Sequence, residues 1–332
     1  MKHRVALIDG DGIGPEIARA TRQVLQATGV QIDWVEVIAG ERAYRSEGTP
    51  VPDAAMAAIR GCRTALKGPM SNPSLPGHVS PNISFRVALG LYGNVRLAAA
   101  LPGARTRFPG TDIMLVRDVT EDLYMGPQRQ DGPDAATATK VVTRNAVERI
   151  ARLAFEWARR NDRRKVTIVH KATVLKHTDG LFLRAARDVA ADYPDIACDD
   201  MLVDAIAMHL VREPEHFDVL LTGFQYGDIL SDLCAGLAGG LGVVPGALVG
   251  DAMTLFEPVH GTAPKHAGQD RANPTAMILC GALMLTYLGE EQAARALWQA
   301  VKRVLSEGRR VTADQGGTAR TSEMADAICR AL

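Results

Sequence analysis

Asp228 and Asp232 stand four residues apart in Tyr226-Gly227-Asp228-Ile229-Leu230-Ser231-Asp232, directly after the largely apolar stretch 217–223. An apolar run that feeds a glycine and then an acid predicts a strand entering a helix, where residues i and i+4 share a face. Two like charges on one face repel unless something positive lies between them. A hard divalent cation such as Mg²⁺ meets that need, because it takes carboxylate oxygens and leaves positions for substrate and water. A solvated helix face bearing two acids is the plain alternative. The glycine and leucines around the pair, and the apolar, Gly-rich stretch 233–245, argue against an exposed face.

Other residue types along the chain suit the same chemistry. Ser80-x-Asn82-x-x-x-Arg86 is followed by Arg96 and Arg117. Hydroxyl, amide and guanidinium groups in that order suit a polycarboxylate, since Arg forks onto a carboxylate with two hydrogen bonds. Tyr124 follows the third arginine, and His170-Lys171 ends an apolar strand-like run. A lysine there can move a proton if burial or nearby cations depress its pKa; otherwise it is a capping or solvated group. Asp204 lies on an otherwise apolar helical pattern and needs a partner to be buried, which a metal would provide. His260-Gly261-Thr262-Ala263-Pro264-Lys265-His266-Ala267-Gly268 is a loop of small residues with two basic side chains, suited to a nucleotide or phosphate, or else an ordinary surface loop.

Strand-like and helix-like segments alternate around these groups. Residues 5–8, 64–66, 113–116, 166–169 and Val219–Thr222 read as strands, each leading to a loop or a helical pattern. That alternation predicts an α/β architecture with largely parallel strands. Gly10-x-Gly12-x-Gly14 follows the first strand, but a dinucleotide-binding Rossmann turn needs G-x-G-x-x-G, and here the third glycine comes one residue early with Pro15 behind it. The loop still offers backbone N–H groups at a helix N-terminus, with Pro15 suited to the first helical position. Residues 121–140 depart from the alternation: they are polar, carry Gly and Pro and end Thr-rich, as an extended arm to a second subunit or as a loop.

A chain of 332 residues, 47% hydrophobic, can bury a sizeable core and has the length of two domains or one large one. Basic and acidic residues balance at 38 each, so bulk charge implies no nucleic-acid partner. Eight of the basic residues are lysine and the rest arginine, an excess that suits carboxylate recognition but equally reflects composition alone. Five scattered cysteines form no C-x-x-C pair, which predicts reduced thiols in a cytoplasmic protein rather than a zinc or disulfide framework. No secretory segment is evident before the first strand, and no apolar run approaches the ~20 residues of a membrane span.

Gly10–Glu16, Lys67-Gly68-Pro69, Leu91-Tyr92-Gly93-Asn94-Val95-Arg96, His170-Lys171, 226–232 and 260–268 together resemble, in order and spacing, the β-decarboxylating dehydrogenases that act on isocitrate, homoisocitrate and 3-isopropylmalate. The resemblance runs end to end and is nearest to isocitrate dehydrogenases, whose substrate pattern Ser80-x-Asn82 before Arg86 resembles. It implies a two-domain α/β fold that is not a Rossmann fold, with one domain at 1–100 plus 239–332 and a smaller one at 101–238. It implies a homodimer with active sites at the subunit interface and a dimer-forming arm at about 121–140. Arg86, Arg96, Arg117, Ser80 and Asn82 would hold the substrate carboxylates, with Lys67 nearby. Asp228 and Asp232 would bind Mg²⁺ or Mn²⁺ with Asp204 of the other subunit. Tyr124 and Lys171, the latter supplied by the partner chain, would be the acid/base groups. Ile13, Ser71, His260, Gly261, Thr262, Ala263, Pro264, Lys265, His266 and Asn273 would line the cofactor site.

The implied activity is NAD- or NADP-dependent oxidative decarboxylation of a 2-hydroxy-3-carboxy acid, with isocitrate leading over isopropylmalate, homoisocitrate, tartrate or another substituted malate. A non-catalytic regulatory subunit is the reading from another class, and retention of Tyr124, Lys171 and the three aspartates favours catalysis. The chain departs from the family at Thr173 and Phe224, where Asn is usual, and at Asp118, where Glu is usual; these positions bear on the substrate. Lys265-His266 favours the 2′-phosphate of NADP, whereas Ala313 and Asp314-Gln315-Gly316-Gly317 resemble NAD enzymes, and the balance tips to NADP.

Overall fold

A computed structural model describes residues 2–71 and 80–332. The chain begins with β1 (His3–Ile8), α1 (Gly14–Ala27), β2 (Ile32–Glu36), α2 (Glu41–Glu47), α3 (Asp53–Cys62), β3 (Thr64–Lys67) and α4 (Pro81–Ala88). It continues through β4 (Leu91–Ala99), β5 (Asp112–Asp118), β6 (Gln128–Gln130), β7 (Ala136–Ala138), α5 (Arg144–Arg160), β8 (Lys165–His170), α6 (Thr178–Ala190), β9 (Ala197–Leu202), α7 (Val203–Arg212), β10 (Val219–Thr222) and α8 (Phe224–Ala238). It closes with β11 (Pro245–Gly250), β12 (Thr254–Pro258), α9 (Thr275–Tyr287), α10 (Glu291–Glu307) and α11 (Thr321–Ala331).

These elements form two compact units. One comprises the described residues up to Leu91 with Ala100–Pro109 and Ala238–Leu332; the other comprises Tyr92–Ala99 and Gly110–Leu237. In the first unit the strands run in the order β2-β1-β3-β12-β11, parallel except for the antiparallel β11–β12 pair. In the second the order is β4-β5-β10-β8-β9, parallel except for β4–β5. That last pair explains why 92–99 belong to the second unit: Gly93 to Ala99 ladder onto Asp118 to Asp112, whereas the sequence reading counted them with the first domain.

The central parallel strands are buried on both faces, which is why 5–8, 113–116 and 219–222 read as unbroken apolar runs rather than alternating ones. Helix α9 is apolar all round and packs among α1, α10, β11 and β12 as the core helix of the first unit. Pro15 is the second residue of α1, one position later than its sequence suggests, with Gly14 leading. Residues 121–140 contain the antiparallel β6–β7 hairpin, with all six strand residues exposed. No helix among the described residues is long and apolar enough to cross a membrane.

Candidate active site

In the first unit, the loop after β1 is seated on the loop after β12. Ile13 N donates to Thr262 O at 2.9 Å and Asp11 N to Pro69 O at 2.7 Å. Gly12 has φ +59°, and a Cβ there would lie 2.0 Å from Thr262 O, so the close approach of the two backbones requires glycine. The glycines thus make a tight turn and a loop-to-loop contact, without Rossmann spacing. Asp11 fixes the surroundings: its carboxylate accepts from Ser71 N at 2.8 Å and Glu41 N at 2.9 Å, while burial pushes its pKa up.

Beside these loops lies a cavity of about 420 Å³ whose walls include Ile13, His260, Gly261, Ala263, His266 and Asn273. Six residues expected at the cofactor site are therefore brought together. Ser71, Thr262, Pro264 and Lys265 are not among its lining residues; the backbone N–H of Ser71 is held by Asp11, and Lys265 sits exposed in the 3₁₀ turn 264–266. Leu241, Gly242, Arg271, Ala272, Ala313 and Asp314 complete the wall. Asp314 accepts from Asn273 Nδ2 at 2.8 Å and Thr312 Oγ1 at 2.5 Å. Asn273 also accepts from Thr275 N, the first residue of α9, at 2.9 Å. His260 Nδ1 is 3.0 Å from Gly261 O, and a carbonyl can only accept, so Nδ1 carries the proton. Its Nε2 is buried without a hydrogen-bond partner among the described residues, and burial lowers the imidazole pKa, leaving a neutral acceptor. Ala263 holds a left-handed backbone (φ 38°, ψ 59°), strain of the kind that persists where surrounding structure fixes a ligand loop.

Lys67, expected beside substrate, is buried, with its ammonium 2.6 Å from Glu257 on β12 and donating to Gly68 O at 3.1 Å. Glu257, which no local motif marks, also lies 4.0 Å from Arg86. Ser80 stands at the N-cap of α4, and Asn82 and Arg86 follow one turn apart on it; Asn82 Oδ1 is a buried acceptor without a partner among the described residues.

In the second unit, Arg96 and Arg117 project from the paired strands β4 and β5, with Asn94 directly opposite Arg117. Asn94 Oδ1 accepts from Arg96 Nε at 2.9 Å and Arg117 Nε at 3.2 Å, holding the two guanidinium groups side by side. Arg117 is 1% exposed and bonds to Asp228. Arg96 donates to Ser231 Oγ at 2.5 Å and Asp232 Oδ1 at 3.2 Å. The positive groups between the two acids of α8 are thus arginines, and both carboxylates keep a solvent-facing side. Asp204 is not buried on its helix: it is exposed in the first turn of α7 and its Oδ1 lies 2.5 Å from Lys171 Nζ. Among the described residues no three His, Cys, Asp or Glu side chains of this one chain converge on a metal position.

Tyr124 is exposed at the mouth of this cluster, edge-on to Phe224 with ring centroids 5.2 Å apart, and the Arg117 guanidinium lies 5.1 Å from the centre of the Phe224 ring. Partial burial and the nearby Asp228 charge raise the Tyr124 pKa, so the phenol keeps its proton at neutral pH and can give it up as an acid. His170 is buried with Nε2 3.0 Å from Asp200 and Nδ1 accepting from Ala172 N, which fixes the turn that carries Lys171. Asp118 is buried at the end of β5, and burial raises its pKa to about 6 despite bonds from Thr120 and Glu121 N.

Residues 4–328 match the family model for isocitrate/isopropylmalate dehydrogenase. This chain belongs to that family. It is 45% identical over 334 residues to the isocitrate/homoisocitrate dehydrogenase of Thermus thermophilus, covering 100% of this chain and 99% of that one. It is 40% identical to the 3-isopropylmalate dehydrogenase of Methanothermobacter thermautotrophicus, covering 99% and 98% of the two chains. The crystal structure of isocitrate dehydrogenase from Methylococcus capsulatus superposes with a TM-score of 0.95 at 48% identity, covering 99% of each chain. The protein is a dehydrogenase with the mixed α/β fold of these enzymes.

Two outcomes test the local physics. Gly29 has φ +81° with open space around it, so Gly29→Ala costs this dehydrogenase only the left-handed strain of about 1–2 kcal/mol. Gly12→Ala adds a clash with Thr262 and costs at least about 2 kcal/mol more in urea denaturation; equal costs would remove the loop-to-loop contact from the argument. Asp118 has a native pKa above its unfolded value of 3.8, so the native state binds this proton more tightly and loses about 2 kcal/mol of stability as pH rises from 4 to 7. The stability of Asp118→Asn relative to the parent therefore climbs by that order over the same range, and a flat difference contradicts the assignment.

Proposed function

We propose that this dehydrogenase oxidatively decarboxylates a 2-hydroxy-3-carboxy acid, with isocitrate as the substrate and a nicotinamide dinucleotide and a divalent cation as cofactors. The observation that carries the reading is the facing of two adjacent guanidinium groups, Arg96 and Arg117, by two half-exposed carboxylates, Asp228 and Asp232. The substrate's carboxylates take over the arginines by forked hydrogen bonds. The released carboxylates are hard oxygen donors that suit Mg²⁺ or Mn²⁺. When bound, the cation polarises the oxygen on the reacting carbon and the nicotinamide ring accepts hydride.

The chain's own groups divide the remaining work. Arg86, Arg96 and Arg117 hold carboxylates, with Ser80 and Asn82 supplying polar contacts that favour isocitrate over a substrate with an apolar branch. Lys171 takes the hydroxyl proton. Tyr124, protonated at neutral pH, returns a proton to carbon after carbon dioxide leaves. Isopropylmalate, homoisocitrate and tartrate are the rival substrates. A subunit that binds without turnover is the alternative from another class; a relative 39% identical is named as a regulatory subunit in Dictyostelium discoideum, but Tyr124, Lys171, Asp204, Asp228 and Asp232 are all present here.

NAD is the better-supported dinucleotide. Lys265, whose charge argues for NADP, does not line the cavity, whose wall holds the Asp314 carboxylate as well as Arg271. A 41% identical Arabidopsis thaliana relative carries NAD in its name. A homodimer is proposed from the second unit's surface. Met208 and Val211 on α7 and Ile229 on α8 are exposed apolar side chains at 45%, 49% and 60%, Val174 and Leu175 join them, and the exposed β6–β7 hairpin is of a kind that is marginal alone. In the dimer Lys171 and Asp204 serve the partner's site.

With Mn²⁺, the panel of substituted malates against NAD and NADP gives the highest kcat/KM for isocitrate with NAD. A higher value for isopropylmalate overturns the substrate. An NADP preference of about tenfold that disappears in Lys265→Ala, a loss of about 1.4 kcal/mol, restores the phosphate reading. Met208→Asp with Val211→Asp converts a dimer or larger assembly in sedimentation into a 35.6 kDa monomer without turnover; a monomeric, fully active parent ends the shared-site reading.

A further inference from the structure

One buried cation has no part in the mechanism above. Lys140, on the return from the β6–β7 hairpin, is 15% exposed, and its ammonium lies between two almost fully buried carboxylates, 2.7 Å from Asp179 and 3.4 Å from Asp122. It also sits over the Tyr226 ring, 4.6 Å from the centroid. Burial and the nearby Asp179 carboxylate push the pKa of the Tyr226 phenol up. A cavity of about 20 Å³ adjoins the cluster, room for about one water.

The two carboxylates reach in opposite directions. Asp122 Oδ2 accepts from Gln225 N at 3.0 Å, anchoring the first turn of α8, and its Oδ1 accepts from Leu123 N at 2.7 Å. It stands two residues before Tyr124 and holds a left-handed φ of +74°, a conformation that needs restraint in a non-glycine residue. Gly223 leaves room for this, since a Cβ there would be 2.8 Å from Asp122 Oδ2. Asp179 Oδ2 accepts from Lys171 N at 2.7 Å. Removing Lys140 leaves two buried like charges facing each other, the situation that costs most in a low-dielectric interior.

We propose that Lys140 is a positioning residue that ties the backbone bearing Tyr124 and the start of α8 to the backbone bearing Lys171. It acts through Asp122 and Asp179 and touches no reacting atom. With Lys171 serving the partner's site, one ammonium then sets geometry in two active sites at once. The kinetic part of this inference rests on the roles given to Tyr124 and Lys171 above; the structural part does not.

The test is Lys140→Met, with Lys140→Arg as the conservative variant. Hydrogen exchange of the Lys171 and Gln225 amides, measured without substrate, accelerates at least about tenfold in Lys140→Met while amides of α9 in the first unit stay protected. With saturating substrate, kcat per folded enzyme falls at least about tenfold with KM within about threefold, and Lys140→Arg recovers most of the loss. If Lys140→Met does not fold, Lys140→Met/Asp179→Asn, which removes one buried charge with its partner, is measured in its place with the same expectations. Unchanged exchange at the two amides overturns the inference, as does a kcat loss that only follows the folded fraction. A parent that turns over no substituted malate defeats the functional reading alone, because the exchange result stands without turnover.

Discussion

A buried guanidinium needs a counter-charge, and Arg117 is the most enclosed charged group of the second unit. It is 1% exposed on a strand whose neighbours are apolar, so its ionised head is tolerable only with Asn94 and Asp228 about it. Much else follows from that constraint. β4 must lie antiparallel to β5 so that Asn94 falls opposite Arg117 and Arg96 falls alongside. α8 must begin directly after β10 so that Asp228 and Asp232, one turn apart, meet both arginines. Gly227 must be glycine, since a Cβ there would lie 2.6 Å from Arg117 Cβ. The result is a cluster of two enclosed guanidinium groups faced by two carboxylates that keep a side toward solvent.

The first unit solves a different problem with backbone rather than charge. Two loops from opposite ends of the chain are brought within hydrogen-bonding distance at Ile13 and Thr262, and the cavity beside them is walled by the same loops. Polar groups in that wall are held by one another: Asn273 by Asp314 and the α9 N-terminus, His260 by the carbonyl of Gly261. Such a wall is preorganised, so little ordering remains for a ligand to impose.

Legibility in the sequence followed the range of the interactions involved. β1, β3, β5, β8 and β10 were readable because strands buried on both faces are apolar without interruption. The paired aspartates were readable because a helix repeat is local. Asn94 could have been found from its i, i+2 relation to Arg96 along a strand, and Ser231 from its place one turn after Asp228. Glu257, Asp122 and Asp179 left no trace, because each pairs with a residue far along the chain or is identified only by burial. The apolar neighbours of Asp204 suggest an acid that needs a partner to be buried, but the first turn of α7 leaves it exposed beside Lys171.

By itself the sequence determined the α/β alternation, the failure of Rossmann glycine spacing, the family and the residue types available for chemistry. All of these are properties of short segments, and local periodicity and motif order encode them completely. Tertiary structure alone decided which charges neutralise which. Lys67 went to Glu257 rather than outward, Arg96 and Arg117 to the acids of α8, and Lys140 to two carboxylates more than 17 residues away in either direction. The physical reason is that desolvation makes a partner obligatory for each buried charge, and only the folded chain fixes which partner is near enough to serve.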